Sequence, residues 1–281
     1  SSPGAPRVLS GLNPGQPKHC GLEVLSGGHV PDELQKTLAA PDFRGNRINL
    51  FRLTDNGSAY TSSQIEDLVS SKHRAFRPID IKMGPDGAIY IADWYNPIIQ
   101  HGEVDFRDPR RDKEHGRIWR ITFENQNLLE KPEIESADDG SVLAMALLSE
   151  AGWVREQASK ELRSRDSESV LRLLSSIQFP EEANLDSDLF QLRKVWAAQS
   201  VNHLDINTVK ALLQSGNHKA RAGALRALYY TAAENEEAYA LAAAAVTDPH
   251  PQVRLWAVSV LAQLDEPDTV ALALQAREGF E

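Results

Sequence analysis

The sequence predicts a two-part, β-then-α chain: a partial β-propeller of about two blades over residues 1–135, then an α-solenoid of helical hairpins over 136–281. Three observations predict it. Residues 76–122 hold short strands with period-2 alternation around a Pro-Asp-Gly turn. The polar, Pro-containing segment 124–140 separates that run from everything after it. Beyond it the period becomes helical, and one motif recurs at intervals of 39, 27 and 33 residues.

Residues 1–17 are dominated by Ser, Pro and Gly and predict a loop. From 21 to 122 the chain reads as strands, with a turn at Thr54-Asp55-Asn56-Gly57-Ser58. Segment 62–73 places Ile65, Leu68 and Val69 at helical spacing, which predicts a short helix or a loop excursion. Ile79, Ile81 and Met83 alternate with Asp80 and Lys82, as in a half-buried strand. Gly84-Pro85-Asp86-Gly87 is a turn because Pro presets φ, Asp bonds its own backbone and Gly tolerates positive φ. Ala88 to Asp93 returns as an apolar strand, and Arg117 to Thr122 supplies a third. This is chain enough for two blades and too little for a closed ring, so open strand edges are expected. Residues 21–122 alone are therefore expected to be poorly soluble, and residues 141–280 alone to fold cooperatively.

In the second half Val154-Arg155 is followed by Ala158 and Leu162, Arg193-Lys194 by Ala197 and Val201, Ala220-Arg221 by Ala224 and Leu228, and Val253-Arg254 by Ala257 and Leu261. The Ala lets helices approach closely and the aliphatic residue fills the layer between neighbouring hairpins. Trp153, Trp196 and Trp256 fall at helical positions and are expected in the core. Asp248-Pro249-His250-Pro251-Gln252-Val253-Arg254 resembles the opening of a HEAT repeat.

Composition limits the function. Net charge is −10, with 17 basic and 19 acidic side chains in residues 1–135 against 13 and 21 in 136–281. An acidic helical half argues against nucleic acid and anionic membrane surfaces as partners, and suits a basic partner or simply a soluble surface. No apolar stretch approaches the roughly 20 residues that span a bilayer. Residues 1–17 have no apolar segment of a secretion signal, so an exported parent is expected to carry its signal upstream, with this chain a piece of it. The single cysteine, Cys20, excludes an internal disulfide and a cysteine-built zinc site, and no CxxCH haem-attachment motif occurs. Cys20 is either a buried inert thiol or a reactive one activated by His19. GxGxxG, P-loop, GxSxG and HExxH motifs are all lacking.

The wording "RPIDIKMGPDGAIYIADW … GRIWRI" resembles the last blade of the soluble glucose/sorbosone dehydrogenase type of propeller, which uses pyrroloquinoline quinone (PQQ). Residues 21–53 resemble the preceding blade. Closer still are the large membrane-bound-type dehydrogenases of planctomycetes and verrucomicrobia, in which such a propeller precedes HEAT repeats and a c-type haem domain. The resemblance covers roughly residues 16–125, and the helical remainder fits the same order. It implies an exported, periplasmic parent that oxidises a sugar or alcohol with PQQ and Ca²⁺ and passes electrons to a c-type cytochrome. The HEAT region would dock partners.

By that resemblance Arg77 lies near the quinone at the channel mouth, where a guanidinium could pair with its carboxylates; the alternative is an ion pair between blades. Asp80, three residues on, is a cofactor-side or turn residue. His19 at the start of the earlier blade, and Arg44 and Arg47 in Asp42-Phe43-Arg44-Gly45-Asn46-Arg47, are further cofactor-binding candidates. Asp93 and Asn96 offer a carboxylate and an amide carbonyl to Ca²⁺, or simply cap a turn. The excursion 101–115 mixes Glu103, Asp105, Asp108, Asp112 and Glu114 with Arg107, Arg110, Arg111 and Lys113, as a network of ion pairs would. His101 and His115 there are acid–base or structural histidines. No segment matches the general-base motif of the resembling enzymes, so no catalytic residue is assigned. The rival expectation is a non-catalytic propeller and HEAT platform for protein interaction.

Overall fold

Alternating strands and a tight turn build the first part of the chain, and capped helices the second. The computed structural model describes residues 18–99, 105–131, 133–134, 140–179 and 186–277. The expectations on residues 1–17, on His101 and Glu103, and on Pro132 of the linker lie outside the described residues. Two compact units emerge: Ser1–Asp55, Tyr60–Pro132 and Ser149–Arg155 in one, Asn56–Ala59, Glu133–Leu148 and Glu156–Glu281 in the other.

The first unit holds two antiparallel sheets. In one, β1 (Glu23–Val24), β2 (Leu38–Asp42), β3 (Arg47–Asn56) and β4 (Ala59–Gln64) follow in order, and β5 (Val69–Ser70) also pairs with β3. In the other, β6 (Pro78–Met83), β7 (Ile89–Asp93) and β8 (Arg117–Ile121) form a meander. Both sheets are open among the described residues, so a closed propeller is not what these strands form. Leu25, Ala39, Ile48 and Leu50 from the first sheet and Ile81, Met83, Ile89 and Ile91 from the second make one apolar core.

Gly84–Gly87 turns β6 into β7. Gly87 has φ +78° and a Cβ there would lie 2.9 Å from the His29 Cβ, so both conformation and space require glycine. Asp86 accepts from the Ala88 N–H, the Tyr90 hydroxyl and the Arg120 guanidinium, tying the turn to β8.

Two expectations on these strands are corrected. Ile79 does not share the buried face of Ile81 and Met83 and is exposed. Pro78 pairs with Asp93 but Asp80 with Ala92, so Ile79 is the extra residue of a bulge and the alternation starts only after it. Segment 62–73 is not a helix. Ile65 and Leu68 donate backbone bonds to Leu50 and Ile48 of β3, so the segment is one strand broken at Glu66-Asp67. Ile65 and Leu68 still reach the sheet core, which is what their spacing registered.

The helices are α1 (Gly140–Leu148), α2 (Gly152–Ser164), α3 (Ser167–Ser176), α4 (Ser187–Gln199), α5 (Ile206–Leu213), α6 (His218–Tyr229), α7 (Ala238–Ala245), α8 (Pro251–Leu261) and α9 (Thr269–Arg277). Starts are set by caps: Asp166, Asp186, Asp205, Asn217 and His250 each accept from a first-turn N–H, and Pro251 opens α8. The repeated motif falls on α2, α4, α6 and α8, with Val201 just past the end of α4. In the helical unit α6 packs between α4 and α8. The small residues Ala220, Gly223, Ala224 and Ala227 permit that closeness: a Cβ on Gly223 would sit 2.3 Å from a Leu192 methyl. No helix among the described residues is long and apolar enough to cross a membrane.

Candidate functional site

Arg77 immediately precedes β6 and is buried, 6% exposed. Its Nε donates to the Asn96 carbonyl at 2.9 Å, Nη1 to the carbonyls of Phe43 (2.9 Å) and Arg44 (3.4 Å), and Nη2 to that of Pro97 (3.3 Å). Its backbone N–H donates to Asp93 Oδ1 at 2.7 Å. Asp93, at the end of β7, also takes the Tyr95 N–H on Oδ1 and the Trp119 indole N–H on Oδ2. Burial pulls the Arg77 pKa below its ordinary value, against the pull of the Asp93 charge. Arg77 is therefore a fastener that ties the 42–47 turn to the chain leaving β7, and carbonyls rather than an acid hold its guanidinium.

The other candidates divide around this node. Asn96 accepts from the Ile98 N–H and donates to the Asp112 carbonyl. Arg47 bonds Asp42, which also takes the N–H groups of Lys18 and Gly45. Burial alone would raise the Asp42 carboxyl, but these bonds hold it below the usual carboxylate range. Arg44 gives its carbonyl to Arg77, while its side chain is exposed. His19 bonds Asn49 Oδ1 at 2.9 Å and meets Phe51 edge-on. Asp80 stands apart, half exposed and 3.7 Å from Lys82. The structure thus brings Arg77, Asp93, Asn96 and the 42–47 turn together and leaves Asp80 outside.

Cys20 donates to the Pro78 carbonyl at 3.4 Å, and burial pushes its pKa up to about 11. In the charged excursion Arg110 pairs with Asp108, and His115 with Asp112 at 2.8 Å.

The node does not fit a quinone or calcium ion. The Arg77 Nε and both Nη atoms already bond carbonyls, both Asp93 oxygens hold protein donors, and the Asn96 amide oxygen caps a turn. A ligand would have to displace backbone partners. Among the described residues, no three His, Cys, Asp or Glu side chains group as metal ligands.

Two features escaped sequence reasoning. His29 is buried at 1% exposure; its Nε2 accepts from the Phe123 N–H and its Nδ1 meets the Asn127 carbonyl, an assignment that fixes the tautomer. The second is on the helices. Trp196 is 41% exposed and so is not the core residue expected. Its equivalent on α6 is Gly223, whose carbonyl takes the Trp196 indole N–H at 3.4 Å. The Leu192 side chain packs against that glycine, and Arg226, about one turn further along α6, lies 5.9 Å and 5.7 Å from the Trp196 and Trp256 ring centres.

Polar ties also link the repeats. Arg221 of α6 grips Asp248, ahead of α8, at 2.8 and 3.0 Å, and donates back to the Ser215 carbonyl. Arg254 of α8 donates to the carbonyls of Asp248 and Pro249, and Asp188 ahead of the α4 motif accepts from the Ser215 hydroxyl. His218 and His250, at the starts of α6 and α8, stack at 3.6 Å.

Comparisons with known proteins agree with this division. No curated protein and no solved structure matches the chain. Residues 16–125, which span both sheets, match the family described as "Domain of unknown function (DUF7133)". Residues 206–278, from α5 through α9, match the model described as "HEAT repeats", and this part of the chain is a HEAT region.

Proposed function

We propose that the chain is a protein-docking scaffold, in which the HEAT helices present the binding surface and the strand unit is a rigid, non-catalytic support. The observation that carries this reading is the HEAT region over residues 206–278. Stacked helical hairpins expose a continuous surface that single helices do not, and such surfaces bind proteins. In support, the buried polar groups of the strand unit are spent on holding its own backbone.

The finer reading concerns the longer protein that residues 16–125 resemble. In it, this chain belongs to an exported, periplasmic quinone-type dehydrogenase that oxidises a sugar or alcohol with PQQ and Ca²⁺. The HEAT helices dock the c-type cytochrome, or haem domain, that takes the electrons. The residues of this chain fit the docking role and not the cofactor.

The test is to purify proteins that co-elute with the full chain from its native source, then titrate each purified candidate against the chain by calorimetry. A stoichiometric partner whose binding is weakened by charge reversals on α4, α6 and α8 and untouched by changes at Arg44 is expected. Binding that maps only to residues 18–131 would overturn the assignment of docking to the helices. A haem protein as partner would favour the electron-transfer setting; PQQ binding by this chain alone would contradict the non-catalytic role of its strands.

A further inference from the structure

Helices α6 and α8 contain no Asp or Glu, and α4 has only Asp188 in its first turn. These helices nevertheless sit in the half of the chain with 21 acidic and 13 basic side chains. Of the acids that lie between the helices, Asp186 and Asp205 cap helix starts and Asp248 pairs with Arg221, while the rest follow α6 and α8 in sequence. Arg226 with Trp196 and Trp256 therefore forms a cationic and aromatic spot within an acidic unit.

At its centre is Arg226. The guanidinium lies over the Trp196 and Trp256 rings, at the edge of cation–π range for both. Among the described residues it has no hydrogen bond and no ion pair, and it is exposed. Arg221 and Arg254 of the same helices are spent on carbonyls and Asp248. Rings continue outward from the site: Trp256 meets Tyr229 at 6.0 Å, and Tyr229 meets Tyr230, 62% exposed, at 5.2 Å.

A guanidinium flanked by indoles and without a bonded partner keeps its N–H edge for a ligand, and that edge matches a carboxylate with two parallel bonds. Partial desolvation by the rings strengthens such a pair relative to one in open water. The exposed aromatic surface alongside would take an apolar side chain of the same ligand.

We propose that Arg226, framed by Trp196 and Trp256, is the receptor for an Asp or Glu carboxylate in an acidic peptide segment of a partner protein, with an adjacent apolar side chain resting on Tyr230 and Trp196. The proposal rests on the docking-scaffold reading and names its site. The net charge of −10 disfavours a long polyanion such as nucleic acid, whose binding depends on the field of many cations, whereas one short-range carboxylate pair at Arg226 does not. A free carboxylate metabolite shares the charge but would leave the rings unused.

The experiment uses the full chain and short fluorescein-labelled peptides of Asp, Glu, Phe and Leu. Peptides with Asn and Gln in place of the acids, and acetate alone, serve as comparisons. Anisotropy should show the acidic peptide bound at least about tenfold more tightly than its amide counterpart, the step that about 1.4 kcal/mol represents. Arg226→Glu should remove that preference, and Arg226→Lys should retain part of it by keeping the charge without the planar fork. Arg163→Glu, a charge reversal on exposed α2 surface, should leave it intact. Because Arg226 is exposed, circular dichroism of the variants should match the parent. Equal binding of acidic and amide peptides, or an Arg226→Glu variant that binds as the parent does, overturns the proposal. Competition by acetate at concentrations comparable to the peptide's would also overturn it. A native partner that binds parent and Arg226→Glu alike leaves the scaffold reading standing and removes this site.

Discussion

The strand unit and the helical unit both use arginines as polar fasteners, but arrange them differently. Arg77 bonds carbonyls 19 to 34 residues away. In the helical unit Arg221 and Arg254 each bond carbonyls 5 or 6 residues back, in the loop before their own helix, and each also reaches forward to the next segment of the array, Arg221 to Asp248 and Arg254 to the Ala276 carbonyl. A long-range fastener closes a loop that nothing else closes, so its loss releases several segments together. The loss of a fastener that joins its own loop to the next segment of a stacked array is felt mainly by that hairpin and its neighbours. The strand unit is thus built to be all-or-none and the helical unit to give way in parts, which suits a rigid support joined to a surface that adapts to a partner.

The sharpest way to break this contrast is Arg77→Met. The change keeps an apolar stem but leaves the carbonyls of Phe43, Asn96 and Pro97 without their donor. Stranded buried acceptors cost about 1–3 kcal/mol each when no water reaches them. A loss of about 3–5 kcal/mol is expected, comparable to breaking a buried charged network. Hydrogen exchange followed by mass spectrometry should show β2, β3, β6 and β7 losing protection together while α6 and α8 keep theirs. Loss confined to the 42–47 turn would mean the fastener is local after all.

How much of this was legible follows from what kind of partner each residue has. The strands of 76–122 were readable because period-2 alternation and Pro-Asp-Gly chemistry are properties of side chains. The bulge at Ile79 was not, since one extra residue shifts the register without changing any residue type. Segment 62–73 misled because a strand broken at one turn can bring Ile65 and Leu68 to the same core by a spacing that mimics a helix. The role of Arg77 was invisible because its partners are carbonyls, which every residue has; only a partner acid would leave a mark in sequence. On the helices the Ala and aliphatic rows were plain. The exposure of Trp196 was not, because its surroundings depend on Gly223 one repeat on, and a recurring motif shows what repeats share rather than where one lacks a side chain.

A moderate effect is expected at Asp248, where the helical unit has its most buried ion pair, with side chains of Arg221 and Asp248 only 13% and 12% exposed. Asp248→Asn keeps an oxygen for the His250 N–H but removes the charge, and should cost about 1–3 kcal/mol. The pH dependence separates charge from shape. Burial would raise the Asp248 pKa, yet Arg221 and the His250 N–H hold it below its ordinary value. A depressed carboxylate stabilises the fold above its unfolded pKa of about 3.9, and that stabilisation is lost as pH falls through the folded pKa. Urea midpoints of parent and variant should therefore differ by a constant amount from about pH 5 upward and converge below about pH 4. A difference that persists undiminished in acid would mean the asparagine damages packing, and the ladder between repeats is not electrostatic.

The smallest effect, and the one that most sharpens the picture of a closed strand unit, is at Cys20. With its pKa pushed up to about 11 by burial, the thiol should be almost wholly protonated at pH 8. A free cysteine, of pKa about 8.5, would then be roughly a quarter thiolate. A disulfide reagent such as DTNB should therefore react at pH 8 far more slowly with the native chain than with the urea-unfolded one. His19 does not change this, because its Nε2 is engaged with Asn49 and not with the thiol. The sign in stability is the reverse of that at Asp248. A raised thiol pKa means the folded chain holds its proton while the unfolded chain releases it, so stability declines as pH rises through about 8.5 and beyond. Cys20→Ala should remove that alkaline slope while changing stability little at pH 7. Rapid labelling of the native chain would show that the strands around Pro41 and Pro78 open freely, and the strand unit would then be no rigid support.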